Sequence, residues 1–181
     1  MRNNKRGVDA IQRRELVVHL SRVLAAEMGH LNVYRAQASR IADPQVVHAL
    51  DRFKHLEAEH VSKVEGILEK LGSKPPLVGE AGGVLGGLIG SAVSLADELL
   101  ILKADLRIEE IAFANYRSLL ERIRDPAIRD PLAENMIDAQ LMALWLKDRL
   151  SRVESGETEE GIAPRRPVHR AGAGHQGRPP R

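Results

Sequence analysis

The run HLEAEH, residues 55–60, sets Glu57 three positions before His60 in a segment with the periodicity of an amphipathic helix. Positions i and i+3 share a helical face, so a carboxylate and an imidazole at this spacing can converge on one metal ion. The same spacing also arises between two solvated side chains, and the other helices decide between the readings by what they bring to the same level. Glu27 stands among Leu20, Val23, Leu24, Leu31 and Tyr34 at core spacings. Glu109 shares its face with Leu102, Ala112, Phe113 and Tyr116, while Glu110 points about a quarter turn away. A charged side chain on an apolar stripe is costly unless it is paired or metal-bound. Three separate segments each present one, and that coincidence points to a buried site of carboxylates and histidine.

Composition sets what such a site can be made of. A chain of 181 residues suits one domain with a real core. The 27 Lys and Arg against 25 Asp and Glu leave a formal charge of only +2, which gives no electrostatic case for a nucleic-acid partner. There is no cysteine, which excludes disulfides, thiolate zinc sites, iron–sulfur clusters and cysteine nucleophiles, and leaves a metal to oxygen and nitrogen donors. The N-terminal MRNNKRGVDAIQRREL is basic with no apolar run behind it, so the expectation is a cytoplasmic protein.

The elements that must position these residues are helices. Apolar residues at helical spacing run from about Asp9 to Ile41, from about Pro44 to Leu71, from about Val84 to Ile123 and from about Pro126 to Val153, and no segment alternates as a strand does. Asp43-Pro44, Gly72 and Asp125-Pro126 punctuate them. The expected architecture is an all-α antiparallel four-helix bundle over residues 1–153, in which the linker GSKPPLVGEAGG could be a long crossover. Residues 154–181, rich in Gly, Pro, Arg and Glu, are expected to form a disordered basic tail. Residues 81–96 are uncharged and carry five glycines; they are too short to span a bilayer, and suit either close helix packing or contact with a membrane or quinone.

With those helices in place, the sequence resembles the ferritin-like superfamily of bacterioferritin, ferritin and rubrerythrin, over about residues 16–150. AAEMGHLNVYRAQ is similar to the first-helix pattern of a glutamate followed seven residues later by tyrosine. LEAEHVSKVEGILEKLG is similar to the second-helix E-x-x-H segment, and DLRIEEIAFANY to the third helix. The resemblance implies a ferritin-like bundle with Glu27, Glu57, His60 and Glu109 as metal ligands, Glu57 bridging, and Tyr34 and Tyr116 packed beside them. It further implies iron as the cofactor, dioxygen as a partner and a homo-oligomer, while three carboxylates and one imidazole suit manganese or zinc as alternatives. The glycine-rich run together with EEIAFANY also resembles the demethoxyubiquinone hydroxylases, which implies quinone or membrane contact through residues 81–96.

The fourth helix departs from the pattern. IDAQLMALWL matches at Asp138, Trp145 and Leu146, but places Ala139 and Met142 where the family has ligands. Neither a methyl nor a thioether suits a hard iron centre. Glu134 lies five residues before Ala139, about 140° around the helix. Leu56 stands where the family has an acid supporting the lost histidine, whereas Asp138, which by resemblance supports His60, is kept. The expected site is therefore reduced and asymmetric, holding at most one tight ion, and serves iron binding or oxidation or O2-dependent redox chemistry. Two other functions remain open: a metal-free scaffold with Glu27 and Glu109 paired to Arg or Lys, and a quinone- or membrane-associated hydroxylase remnant.

Overall fold

Two Asp-Pro dipeptides each close one helical pattern and open the next. In the computed structural model, which describes residues 12–37, 40–73 and 98–156, the helices are α1 (Arg13–Gln37), α2 (Pro44–Lys70), α3 (Glu98–Leu120) and α4 (Pro126–Ser155). The Asp43 carboxylate accepts from the backbone N–H groups of Gln45 and Val46 at 2.8 and 3.3 Å, and Asp125 accepts from Ala127 N–H at 3.0 Å. A proline follows each, where a missing N–H costs nothing. At the other end of α2, Gly72 takes φ +65°, so that Gly72 and Ser73 donate back to the carbonyls of Glu69 and Leu68. Gly156, at φ +71°, ends α4 two residues later than the periodicity predicts.

The first helix is shorter than expected. It ends at Gln37, and Ile41, counted in the sequence as helical, instead sits in the turn and is buried with Val46 and Leu50. An apolar residue in a turn that folds back on the core satisfies the same periodicity as one in the helix. Residues 1–11, the first part of the predicted third helix with its glycine-rich run, and residues 157–181 lie outside the described residues.

Cross-helix pairs give the topology. Arg13 at the start of α1 donates to the carbonyl of Leu71, just past the end of α2, so these two helices are antiparallel. On α1 and α3, Tyr116 meets Glu27, Tyr34 meets Glu109 and Gln37 meets Asp105, again in opposite directions. On α2 and α4, His60 meets Asp138 and Lys63 meets Glu134. Hence α2 and α3 run parallel. Ser73 follows the end of α2, whereas Glu98 lies 3.9 Å from Arg149, which also pairs with Asp43 at the start of α2. The 27 residues of α2 separate those ends by about 40 Å. Ser73 and Glu98 thus stand at opposite ends of the bundle, and the linker expected between them lies outside the described residues.

The core is layered. One apolar cluster gathers Leu16, Leu20, Leu24, Val64, Ile67, Leu68 and Leu132, bordered by Tyr116. A second gathers Val46, Leu50, Phe53, Leu102, Met142, Leu146 and Leu150, bordered by Tyr34. Phe53 stands edge-on between the rings of Tyr34 and Trp145, with centroids 5.7 and 5.6 Å apart. Glu27, Glu57, His60 and Glu109 lie between the two clusters. Among the described residues there is no strand, and no helix is long and apolar enough to cross a membrane.

Candidate metal centre

Each helix that carries the polar layer does so at one level. Glu27 and His30 lie one turn apart on α1, Glu57 and His60 one turn apart on α2, and Glu109 projects from α3. Glu27, Glu57, His60 and Glu109 are all at most 2% exposed. His60 Nδ1 lies 3.5 Å from Glu27 Oε2 and 3.8 Å from Glu57 Oε2, and His30 Nδ1 lies 3.6 Å from Glu57 Oε1 and 3.8 Å from Glu27 Oε2. Two groups of donors result, Glu27 with Glu57 and His60, and His30 with Glu57 and Glu109; within each, the donor atoms lie within 4.8 Å of one another. Donors about 2.1 Å from one ion stand at most about 4.2 Å apart, so each group needs only a small closure to bind a cation.

A surrounding ring of side chains fixes the donors. Tyr116 Oη donates to Glu27 Oε1 at 2.7 Å and itself accepts from Asn135 Nδ2 at 3.1 Å. Tyr34 Oη donates to Glu109 Oε1 at 2.5 Å. Asp138 Oδ2 is 3.3 Å from His60 Nε2, which leaves Nδ1 facing the carboxylates. Asp138, Tyr34 and Tyr116 therefore each touch one of the four buried donors.

The atoms left over identify what the layer lacks. Nine buried side-chain polar atoms among the described residues have no hydrogen-bond partner, and five belong here: Glu27 Oε2, His30 Nδ1, both oxygens of Glu57 and Glu109 Oε2. Buried polar atoms are rarely left unpaired. Five convergent orphans, drawn from three carboxylates and an imidazole with a second imidazole beside them, form the donor set that Fe(II), Mn(II) or Zn(II) takes. The residues fit a metal.

Without a cation the layer is held by protons. Burial raises Glu27 to about 7, aided by the charge of Glu57, and raises Glu109 well above the ordinary carboxylate range. For Glu57 burial acts the same way but is outweighed by contacts with Glu27, His30 and His60, which hold it below the usual range. Burial would lower both histidines. Glu57 and Glu27 reverse this, pushing His30 up to about 9 and His60 up to about 10. Any metal must displace those protons, since ligands bind deprotonated.

His30 was not among the residues expected from sequence, although Glu27-x-x-His30 has the very spacing that singled out Glu57 and His60. Asn135 was also missed; a buried Asn on an apolar stripe gives no sign that it serves a tyrosine. On α4 the two residues that depart from the resembled pattern are buried. Ala139 and Met142 face inward at 1% exposure with nothing to offer a cation, and Glu134 is exposed and pairs with Lys63 at 3.0 Å. Leu56 and Met142 instead help line a cavity of about 650 Å³ between α2 and α4, which Asp138 also lines. The scaffold reading required Arg or Lys beside Glu27 and Glu109. Among the described residues neither glutamate has such a partner, and tyrosines stand there instead.

No protein-family model matches the sequence, and no curated protein matches it. The chain is similar in structure to a solved two-domain protein from Anabaena variabilis that contains DJ-1/ThiJ/PfpI-like and ferritin-like domains. The TM-score is 0.65 at 16% identity, over 86% of this chain and 41% of that one. The chain thus spans well under half the length of that protein, and at this identity the likeness concerns the fold alone. Among the described residues, four helices in two antiparallel pairs, built around a layer of carboxylates and histidines, give this chain a ferritin-like fold.

Proposed function

We propose that the bundle binds a transition metal, iron first with manganese or zinc as alternatives, through Glu27, Glu57, His60 and Glu109, and works in iron oxidation or O2-dependent redox chemistry. The observation that supports this most is the set of convergent, unpartnered donors in a layer sealed by apolar clusters on both sides. A bound iron would supply one-electron redox chemistry with dioxygen as the acceptor. The protein's own part is positional. Asp138 holds His60 with Nδ1 inward, Tyr116 and Tyr34 each tie up one oxygen of Glu27 and Glu109, and the apolar clusters keep bulk water out. Between α1 and α3 a cavity of about 40 Å³ reaches Glu27 and His30, enough for a water-sized molecule. The protein is further proposed to be cytoplasmic and to form a homo-oligomer, for which the half-exposed stripe of Ile137, Leu141 and Leu144 on α4 offers a surface.

Elemental analysis of protein purified from iron-supplemented cells tests this reading, together with Fe(II) oxidation followed by ferric absorbance. The expected result is iron in the parent and none in Glu57→Ala. A metal-free parent that also fails to take up Fe(II), Mn(II) or Zn(II) in vitro would leave the layer as a protonated structural core, in which the raised histidines balance the carboxylates.

A further inference from the structure

Resting on that metal-binding reading, we infer that the centre has a second cation position, made by His30, Glu57 and Glu109, so that α1 supplies the histidine that α4 no longer provides. The arrangement of Glu57 is the first ground. Its Oε2 faces His60 at 3.8 Å and its Oε1 faces His30 at 3.6 Å, one oxygen toward each imidazole, as a carboxylate does when it spans two ions. The atoms of the second group are the next ground: His30 Nδ1, Glu57 Oε1 and Glu109 Oε2 are all buried and without a hydrogen-bond partner.

A purely structural ion pair accounts for this less well. An imidazolium paired with a carboxylate closes to about 2.7–2.9 Å. His30 instead holds Glu57 at 3.6 Å and Glu27 at 3.8 Å, a separation that leaves room for an ion between donors. On α4, Ala139 and Met142, the buried residues at the two positions where the resembled pattern has ligands, carry no suitable donor.

The two positions differ in their backing. His60 is braced by Asp138 at 3.3 Å, whereas no hydrogen-bond partner behind His30 is present among the described residues, and its side chain is 15% exposed. An unbraced imidazole is a poorer ligand, typically by about 10- to 100-fold in metal affinity. The position at His60 is therefore the tight one and the position at His30 the weaker, so a measurement at low metal concentration sees one ion and a measurement at high concentration sees two.

Cobalt(II) titration of the chelator-stripped full-length protein tests this, with bound metal counted after equilibrium dialysis and the electron paramagnetic resonance signal recorded at each step. The expected course is two ions per chain in two steps, the second loss of affinity being about 10- to 100-fold. The signal of the first ion should diminish as the second loads, because Glu57 couples them. His30→Ala and His30→Gln should each keep the tight step and lose both the weak step and the coupling; His60→Ala should lose the tight step. Circular dichroism confirms the fold of each variant. A single ion in the parent, or two coupled ions that persist in both His30 variants, overturns the second position while leaving metal binding in place. No ion in the parent overturns the metal-binding reading itself, and this inference with it.

Discussion

Asp138 touches no expected ligand but His60, and it is partly open to solvent at 27% side-chain exposure, so it can be changed without opening the core. Its carboxylate fixes which imidazole nitrogen faces the layer, and Asp138→Ala should weaken metal binding by about 10- to 100-fold with helix content unchanged. Isothermal titration beside circular dichroism checks this, and unchanged affinity would show that His60 is oriented by packing alone. Asp105 lies one turn before Glu109 and accepts from Gln37 Nε2 at 2.8 Å, while Asp105 Oδ2 and Gln37 Oε1 have no partner. Burial raises this acid to about 7, against the hydrogen bond from Gln37 and the charge of His30. The folded protein therefore holds a proton between about pH 4 and 7 that the unfolded chain has lost. The stability this group contributes is full below about pH 4 and disappears as pH rises through about 7. Asp105→Asn keeps a neutral side chain and brings a donor toward Gln37 Oε1. It should stabilise the fold at pH 8 by up to a few kcal/mol and make little difference at pH 4, read from urea unfolding at both values. Glu27, Glu57, His60 and Glu109, which the structure buries together, stand out in the sequence because a lone charge on an apolar stripe is conspicuous. His30 and Asp105 do not stand out, since Glu27 already accounts for a polar place on the apolar face of α1 and Glu109 for one on α3.

At the scale of the element, the legible parts were those with local chemistry at their ends. The α2 boundaries fall within a residue of expectation because Asp43-Pro44 and Gly72 act through their own backbones and side chains. The end of α1 was misplaced because Ile41 obeys helical periodicity while packing from a turn, and no local feature separates the two cases. Gly72 offers a direct test of the local account. At φ +65° a side chain is strained, and a Cβ would come to 3.0 Å from the Arg13 guanidinium, which is held by the Leu71 carbonyl. Gly72→Ala should cost about 1 kcal/mol, a lowering of the melting temperature by a few degrees, and should leave metal binding untouched. A melting temperature equal to the parent's would show that the end of α2 adapts. Ala139 and Met142 were readable on α4; the spacing of Glu27 and His30 was readable on α1, but only the antiparallel approach of α1 and α3 brings His30 beside Glu109.

The whole molecule places a layer of three carboxylates and two imidazoles between two apolar clusters, and such a layer opposes folding unless its charges are compensated. A cation that binds only the folded chain stabilises it by mass action, about 2.7 kcal/mol at a free concentration 100 times the dissociation constant. The chelator-stripped protein should accordingly melt lower than the metal-loaded one, and Glu57→Gln, which removes the charge both donor groups share, should melt at the same temperature with or without metal. The effect should grow from about pH 6 to about 9 as His30, raised to about 9, surrenders its proton more readily. The four-helix architecture was visible in sequence from periodicity alone, and the parallel course of α2 and α3 emerged only from the contacts at their ends. The most direct test of the central claim is anomalous diffraction at the iron edge from crystals of the iron-supplied protein. A peak bonded to Glu27, Glu57 and His60, midway between the apolar clusters, is the predicted result. A refined structure with no anomalous density there, and with Glu27 and Glu57 hydrogen-bonded to one another or to the histidines instead, would contradict it.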